Sequence, residues 1–387
     1  MRKVCVVLTA RASYTKIKPI LIALKAHPEI ELQIVCAASA VLERYGKVEQ
    51  TVEKDGFHIN EKIYMLLEAE TLLTSAKSTG IGIIEFASAF DRLKPDVILV
   101  MADRYEVIAP AIAASYQNIP LAHAQGGEVT GNIDEKVRHA ITKLSDLHFP
   151  CTERSKDWLI RMGERPESVF LTGCPSTDIA EEVIKNPELD FDIYKKYGGV
   201  GNSPDLSNGY IVVMQHPVTT EYEDAKKQVI ETLEATIDSE RPIIWFWPNP
   251  DAGGDDTSKA LREYREKNKL EHMHFIKNME PLDFLRLLYA SDGIVGNSSA
   301  AIRECSYLGV PAVNIGSRQS NRERAINVRD VSYDRNEIKK AIQEHFNGYV
   351  ARSTLYGEGN AGKKIADFIA SAPLTFSKEI NYINDNG

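Results

Sequence analysis

Carboxylates, imidazoles and hydroxyls gather at a few points of the 387-residue chain, each just beyond an apolar run. The stretch NIPLAHAQGGEVTGNIDEKVRHAITK (118–143) passes from apolar residues to a Gly pair, three carboxylates (Glu128, Asp134, Glu135) and two histidines. Asp103 follows another apolar run in VMADRYE (100–106). Acids from two adjacent strand ends can share a cleft, where each raises the pKa of the other, and that suits general acid–base chemistry. Asp103 and Asp134 equally suit helix N-caps, Arg138 suits an acid's partner, and His139 a partly buried histidine. The second chemistry is anion binding. TARASYTK (9–16) offers Arg11 and Lys16 where a strand gives way to a helix, and basic groups beside helix N–H donors suit a phosphate. In VGNSSAAIRE (295–304), Gly296 and Asn297 end a strand and Ser298 and Ser299 open a helix. Their hydroxyls and N–H groups suit a diphosphate, although Ser298 also suits a plain N-cap. Glu304, further along that helix, is placed to accept bonds from a ribose diol. QHPVTTE (215–221) puts His216 at a strand end, and GSRQSNRERA (316–325) supplies Arg318 and Arg322 to complete a diphosphate pocket.

The elements that must position these groups alternate short β-branched runs with longer amphipathic stretches, the pattern of a parallel sheet wrapped by helices. KVCVVLT, ELQIVCAA, DVILVMAD, IPLAHAQ, LHFPC and SVFLTGC read as strands of a first half. YIVVMQH, PIIWFWPN, HFIKNM, DGIVGN and PAVNIG read as strands of a second. Residues 57–80 read as loop, 299–308 as one helix, and 362–371 as a closing helix. The Gly-, Ser- and Asn-rich stretch YGGVGNSPDLSNG (197–209) reads as the break between two doubly wound α/β units. The expected division is therefore 1–190, joined by 362–387, and 205–361. In such sheets ligands bind at the carboxyl ends of strands, where the residues named above fall.

Composition narrows the function classes. The chain is 43% hydrophobic and 26% charged, with a net charge of −9. It lacks a block of basic residues, so neither a nucleic-acid nor an anionic-membrane partner is expected. The apolar run at the N-terminus is too short for a signal h-region or a membrane span. Cysteines 5, 36, 151, 174 and 305 are scattered, without a CxxC pair. They suit reduced residues of a cytoplasmic protein rather than a disulfide frame or a metal site. No GxGxxG follows a strand, and GxxxxGK[ST], HExxH and GxSxG are missing, which argues against dinucleotide, P-loop, zincin and α/β-hydrolase chemistry.

Taken together, RASYTK, DRYE, HAQGGEVTGNIDEKVRHAITKL, GCPSTD, QHPVTTE, GNSSAAIRE, GSRQSNRE and YGEGNA resemble the hydrolysing UDP-N-acetylglucosamine 2-epimerases, in the order that family has them. The resemblance implies a GT-B-like fold of two Rossmann-like domains facing a cleft, and a homo-dimer or homo-tetramer. It implies conversion of UDP-GlcNAc and water to ManNAc and UDP, through elimination of UDP and hydration of a glycal, with no cofactor. By match to the motifs, Asp103, Glu128, Asp134 and His216 are catalytic. Arg11, Lys16, Arg104, Gln125, Arg138, Asn297, Ser298, Ser299, Glu304, Arg318 and Arg322 bind the UDP-sugar. Ser13 and Gln125 depart from the family's pattern, which has acids there. Gln125 cannot ionise and is expected to hydrogen-bond the sugar. The same chemistry on UDP-2,4-diacetamido-2,4,6-trideoxyglucose, or a non-hydrolysing epimerisation, stands as the alternative.

Overall fold

A computed structural model of the chain describes residues 1–43, 48–68, 71–101, 104–129, 133–218, 221–248, 254–375 and 377–382, with residues 11, 12, 72, 133, 134 and 255 described in their backbone only. The chain forms two α/β units. The first comprises Met1–Val129, Ile133–Asp178 and the segment from Gly357 onward; the second contains Ile179–Tyr356.

The sheet of the first unit has six parallel strands: β1 (Arg2–Leu8), β2 (Ile30–Ala37), β3 (Glu61–Ile63), β4 (Val97–Met101), β5 (Leu121–Ala124) and β6 (Leu147–Phe149). Their order is β3-β2-β1-β4-β5-β6, the Rossmann order. Both faces of β1 are covered, so it reads as a continuous apolar run rather than an alternation. Val4, Val6 and Leu8 pack on one side with Ile17, Ile20 and Ile365, and Cys5 and Val7 on the other with Phe86, Phe90 and Val100. The closing helix Ala361–Ser371 lies against the helix Arg11–Ala26. Its first N–H groups are capped from afar: Asp178 accepts from the amides of Ala361 and Gly362, both at 2.8 Å. The one acid of GCPSTD therefore has a structural task.

The second sheet contains β7 (Val200–Gly201), β8 (Ile211–Met214), β9 (Ile243–Phe246), β10 (Met273–Ile276), β11 (Gly293–Gly296), β12 (Ala312–Ile315) and β13 (Val328–Val331). Its order is β13-β12-β11-β8-β9-β10-β7. From β8 onward this repeats the six-strand order of the first unit. β7 alone is antiparallel, paired with β10.

Four sequence expectations change. The stretch 197–209 contains β7 and belongs wholly to the second unit, whereas the chain passes between units after Asp178 and after Tyr356. Residues from Leu72 form a 22-residue helix, Leu72–Leu93, capped by a Thr71/Thr74 box. Its glycines disguise it. A Cβ at Gly82 would sit 2.6 Å from Met65 Cε and 2.9 Å from Ala109 Cβ, so close packing selects glycine there. SVFLTGC is not a strand and contributes a single bridge, Val169 to His148. The helix expected over 299–308 is interrupted at Arg303, giving Ser299–Ile302 and Glu304–Leu308. Among the described residues no helix is long and apolar enough to cross a membrane.

Candidate functional site

In the second unit, β8 and β11 are neighbours although about 80 residues separate them. The crossovers from these two strands run to opposite sides of the sheet, which makes their carboxyl ends the topological switch point where α/β sheets bind ligands. Met214 pairs with Gly296, so the chain leaves both strands at the same level, and His216 and Asn297 come side by side. The Asn297 carboxamide accepts from the His216 amide and donates to the His216 carbonyl, both at 2.8 Å. Its own carbonyl accepts from Arg318 Nη1 (3.2 Å) and Gln319 Nε2 (2.9 Å). The loop that carries these two side chains is braced in turn. Arg322 donates to Gln319 Oε1 at 2.8 Å, and Arg324 holds the Gln319 carbonyl at 2.9 Å and the Asp330 carboxylate at 3.0 Å.

Burial, reinforced by the charge of Arg318, depresses the His216 imidazole to about 3. The ring is therefore neutral at physiological pH and able to donate one hydrogen bond without adding charge. Ser298 N-caps the next helix through Ala300 N at 3.3 Å. That helix is one turn long before Arg303 breaks it, so hydroxyls and guanidinium groups, rather than a long helix dipole, are what this end offers an anion. Glu304 opens the following turn. It is 8% exposed, and its Oε2 has no hydrogen-bond partner among the described residues. A buried carboxylate oxygen in that condition calls for a donor, and a vicinal diol supplies two.

In the first unit, β5 delivers the QGGE turn. Gln125 adopts a left-handed backbone (φ 66°) and is buried. Its amide donates to the Phe149 carbonyl at 3.0 Å, and its Nε2 reaches Cys174 Sγ at 3.3 Å. Gly127 is required by both conformation and space. Its φ is +76°, and a Cβ would lie 2.3 Å from the Ser155 carbonyl oxygen. Gly127→Ala is therefore expected to destabilise the protein by about 2–4 kcal/mol, read as a lower urea midpoint. Glu128 is buried, and its carbonyl is held by Arg138 Nη1 at 2.7 Å. Arg138 is itself fully buried, so this guanidinium shapes the acidic loop from behind. Gly127 and Val129 border an open hollow of about 270 Å³ with His139, Trp158, Arg161 and Met162.

Other sequence-expected residues are placed as follows. Lys16 lies in the second turn of the helix Arg11–Ala26, past its free N–H groups. Arg104 is paired with Glu106 at 2.6 Å; Glu106, buried and within DRYE, is a residue that sequence reasoning passed over. Asp103 lies outside the described residues, as do the side chains of Arg11 and Asp134. Tyr333, just beyond β13, was also missed. It packs over Gly316, and burial pushes its phenol up to about 12, with Asn297 and Gln215 acting in the opposite sense. Nothing local in the sequence marks it, because only the order of the strands brings it to Asn297.

Residues 22–370 match the family model described as UDP-N-acetylglucosamine 2-epimerase. A Legionella pneumophila protein named UDP-N,N'-diacetylbacillosamine 2-epimerase (hydrolyzing) is 33% identical over 97% of each chain. An Escherichia coli relative, polysialic acid biosynthesis protein P7, is 31% identical over 96% of this chain and 95% of its own. A crystal structure of the Neisseria meningitidis UDP-GlcNAc 2-epimerase, bound to UDP-GlcNAc, superposes with a TM-score of 0.79 at 20% identity, covering 95% of this chain and 99% of that one. The fold is thus the GT-B-like one, built from two Rossmann-like sheets. With nine-tenths of its length matched, the chain belongs to the UDP-N-acetylglucosamine 2-epimerase family.

Proposed function

We propose that the chain is a hydrolysing 2-epimerase, converting UDP-GlcNAc and water to ManNAc and UDP for nonulosonic (sialic) acid synthesis. The observation that carries this reading is the seat at the β8/β11 switch point. A neutral His216, the guanidinium of Arg318, the Ser298 and Ser299 hydroxyls and the buried Glu304 suit a nucleoside diphosphate and its ribose. A pure binding protein for such an anion has no use for acids at the other sheet's strand ends, whereas an elimination does.

The C2 proton has no neighbouring carbonyl to acidify it, so the barrier is high. A carboxylate, from Asp103, Glu128 or Asp134, takes that proton while the C1–O bond breaks toward UDP. His216, Arg318, Ser298 and Ser299 meet the charge that builds on the departing diphosphate. Water then adds across the C1=C2 bond of the glycal: its hydroxyl goes to C1, and a proton is returned to C2 on the opposite face. Proton removal and return each need a group tuned near the working pH.

A second reading keeps this chemistry and changes the sugar to UDP-N,N'-diacetylbacillosamine, the 2,4-diacetamido-2,4,6-trideoxyglucose nucleotide. The similarity over 97% of the Legionella relative favours it, as does a Campylobacter jejuni protein named for the GDP- and UDP-linked forms of the same sugar, 30% identical over 89% of this chain. Incubation with each UDP-sugar in D2O separates the readings by NMR. The expected products are stoichiometric UDP and a free 2-epimeric sugar carrying deuterium at C2. Recovery of UDP-ManNAc without UDP release identifies a non-hydrolysing epimerase, and an unchanged panel of substrates removes the reading.

A further inference from the structure

We propose that Asn297 is a positioning residue for the reaction: its carboxamide clamps the His216 backbone, and so aims the imidazole, while its own backbone gathers the Arg318 loop. The identity of the ligand rests on the functional reading above; the clamp itself rests on geometry. Asn297 is fully buried and every one of its polar groups is engaged. Its amide donates to the Met214 carbonyl at 3.1 Å, its carbonyl takes the Arg318 and Gln319 bonds, and its side chain makes the reciprocal pair with His216. This pair continues the β8–β11 ladder one step past the last paired residues, Met214 and Gly296. The chain needs it there because Pro217 follows His216 and has no N–H to offer. One residue thereby ties three strand ends together: β8 through its side chain on His216, β11 through its own position, and β12 through its backbone carbonyl, which takes Arg318 and Gln319. This role adds to the sequence reading of Asn297 as a ligand to the UDP-sugar.

The residue type follows from the geometry. The side chain must accept from an N–H and donate to a C=O at the same time. Asparagine does both, and ionised aspartate can only accept, which sets a carboxylate oxygen against the His216 carbonyl. Protonated aspartic acid is isosteric with asparagine and regains the donor. Asn297→Asp therefore has a signature that a mere packing residue lacks, namely loss of function at alkaline pH that is reversed by acid.

The test measures UDP affinity by calorimetry between about pH 5 and pH 8 for the wild type, Asn297→Asp, Asn297→Ala, His216→Ala and the Asn297→Ala/His216→Ala double variant. Asn297→Asp is expected to bind UDP roughly tenfold more weakly than wild type at the alkaline end and to return to within about threefold in acid, whereas Asn297→Ala stays weak throughout. Asn297→Ala is expected to cost less than about twofold once His216 is gone, because the two act as one unit. If either Asn297 variant does not fold, as judged by circular dichroism, Asn297→Ser takes its place in the cycle. Equal losses from Asn297→Ala with and without His216, or an Asn297→Asp deficit independent of pH, overturn the proposal. A wild type that does not bind UDP removes the functional reading instead. The clamp is then judged from the His216 imidazole resonances of the ligand-free protein, which must shift in Asn297→Ala if it exists and stay put if it does not.

Discussion

Glu128→Gln is expected to lower kcat for UDP release from a UDP-linked 2-acetamido sugar by roughly a thousandfold, about 4 kcal/mol of transition-state stabilisation, while UDP affinity stays within about threefold of wild type. The substitution keeps size and hydrogen-bonding capacity and removes only the ability to accept a proton. Glu128 is well placed for such a clean test. It is buried beyond the end of β5, and Arg138 holds it through its backbone carbonyl at 2.7 Å, a bond that does not depend on the side chain. The loop therefore keeps its shape in the variant. The residues proposed to hold the diphosphate belong to the second unit, so a selective loss of kcat at constant UDP affinity separates proton transfer from binding. A fall of less than about tenfold would assign the base to Asp103 or Asp134. Loss of UDP affinity equal to the loss of kcat would make Glu128 a binding group.

Glu164→Gln is the second large expectation, and it concerns stability. Glu164 is buried at the centre of a charge cluster assembled from four places in the chain. Its carboxylate meets His148 Nε2 at 2.9 Å, Lys143 Nζ at 2.7 Å and Lys378 Nζ at 2.6 Å. Lys378 also donates to the Thr142 carbonyl at 3.0 Å and to the Ser145 carbonyl, which straps residues 377–382 onto the first unit. Burial alone would raise the Glu164 carboxyl; the hydrogen bond from His148, followed by those from Lys143 and Lys378, outweighs it and holds the group at about 2, against an ordinary value of 4.5. A depressed carboxyl stabilises the fold above its unfolded value, and that contribution is lost as pH falls from about 4.5 toward 2. The shift corresponds to about 3 kcal/mol. The His148 imidazole acts in the same direction. Burial lowers its pKa, so the unfolded chain takes up a proton below about pH 6.5 that the folded chain refuses. Glu164→Gln should therefore lower stability at pH 7 by about 3 kcal/mol, a Tm drop of roughly 6–12 °C. The gap to wild type should close as the pH approaches 2. Thermal melts of both proteins across this range check it, and a gap that persists in acid would show that the loss comes from packing rather than from charge.

The local elements could be read from the sequence wherever burial was complete. β1, β4 and β8 are short apolar runs covered on both faces, and continuous hydrophobicity bounded by polar or turn residues identifies such strands without tertiary information. The helix Leu72–Leu93 escaped because Ser, Thr and Gly dilute its first half; its N-cap is a Thr–Thr box, and Gly82 is chosen for contact with Met65 and Ala109 rather than for propensity. The stretch 197–209 carries the composition of a linker, yet Val200 and Gly201 add an edge strand to β10. Turn-rich composition reports local chain reversal, not the point at which contacts stop crossing.

Sequence alone determined which chemistry-bearing residues stand at strand ends, because strand and helix periods are local properties of the chain. His216, Glu128 and the GNSS segment followed from that. What those residues face was decided by the order of the crossovers, which is a property of the whole sheet. This order set β8 beside β11 and so turned Asn297 toward the backbone of His216, gave Gln319 a partner and brought Tyr333 over Gly316. It also joined Lys143, His148, Glu164 and Lys378 in one buried cluster. Contacts between residues tens to hundreds of positions apart leave no periodic trace in the chain, and they form only when the sheet fixes the distance between its strands.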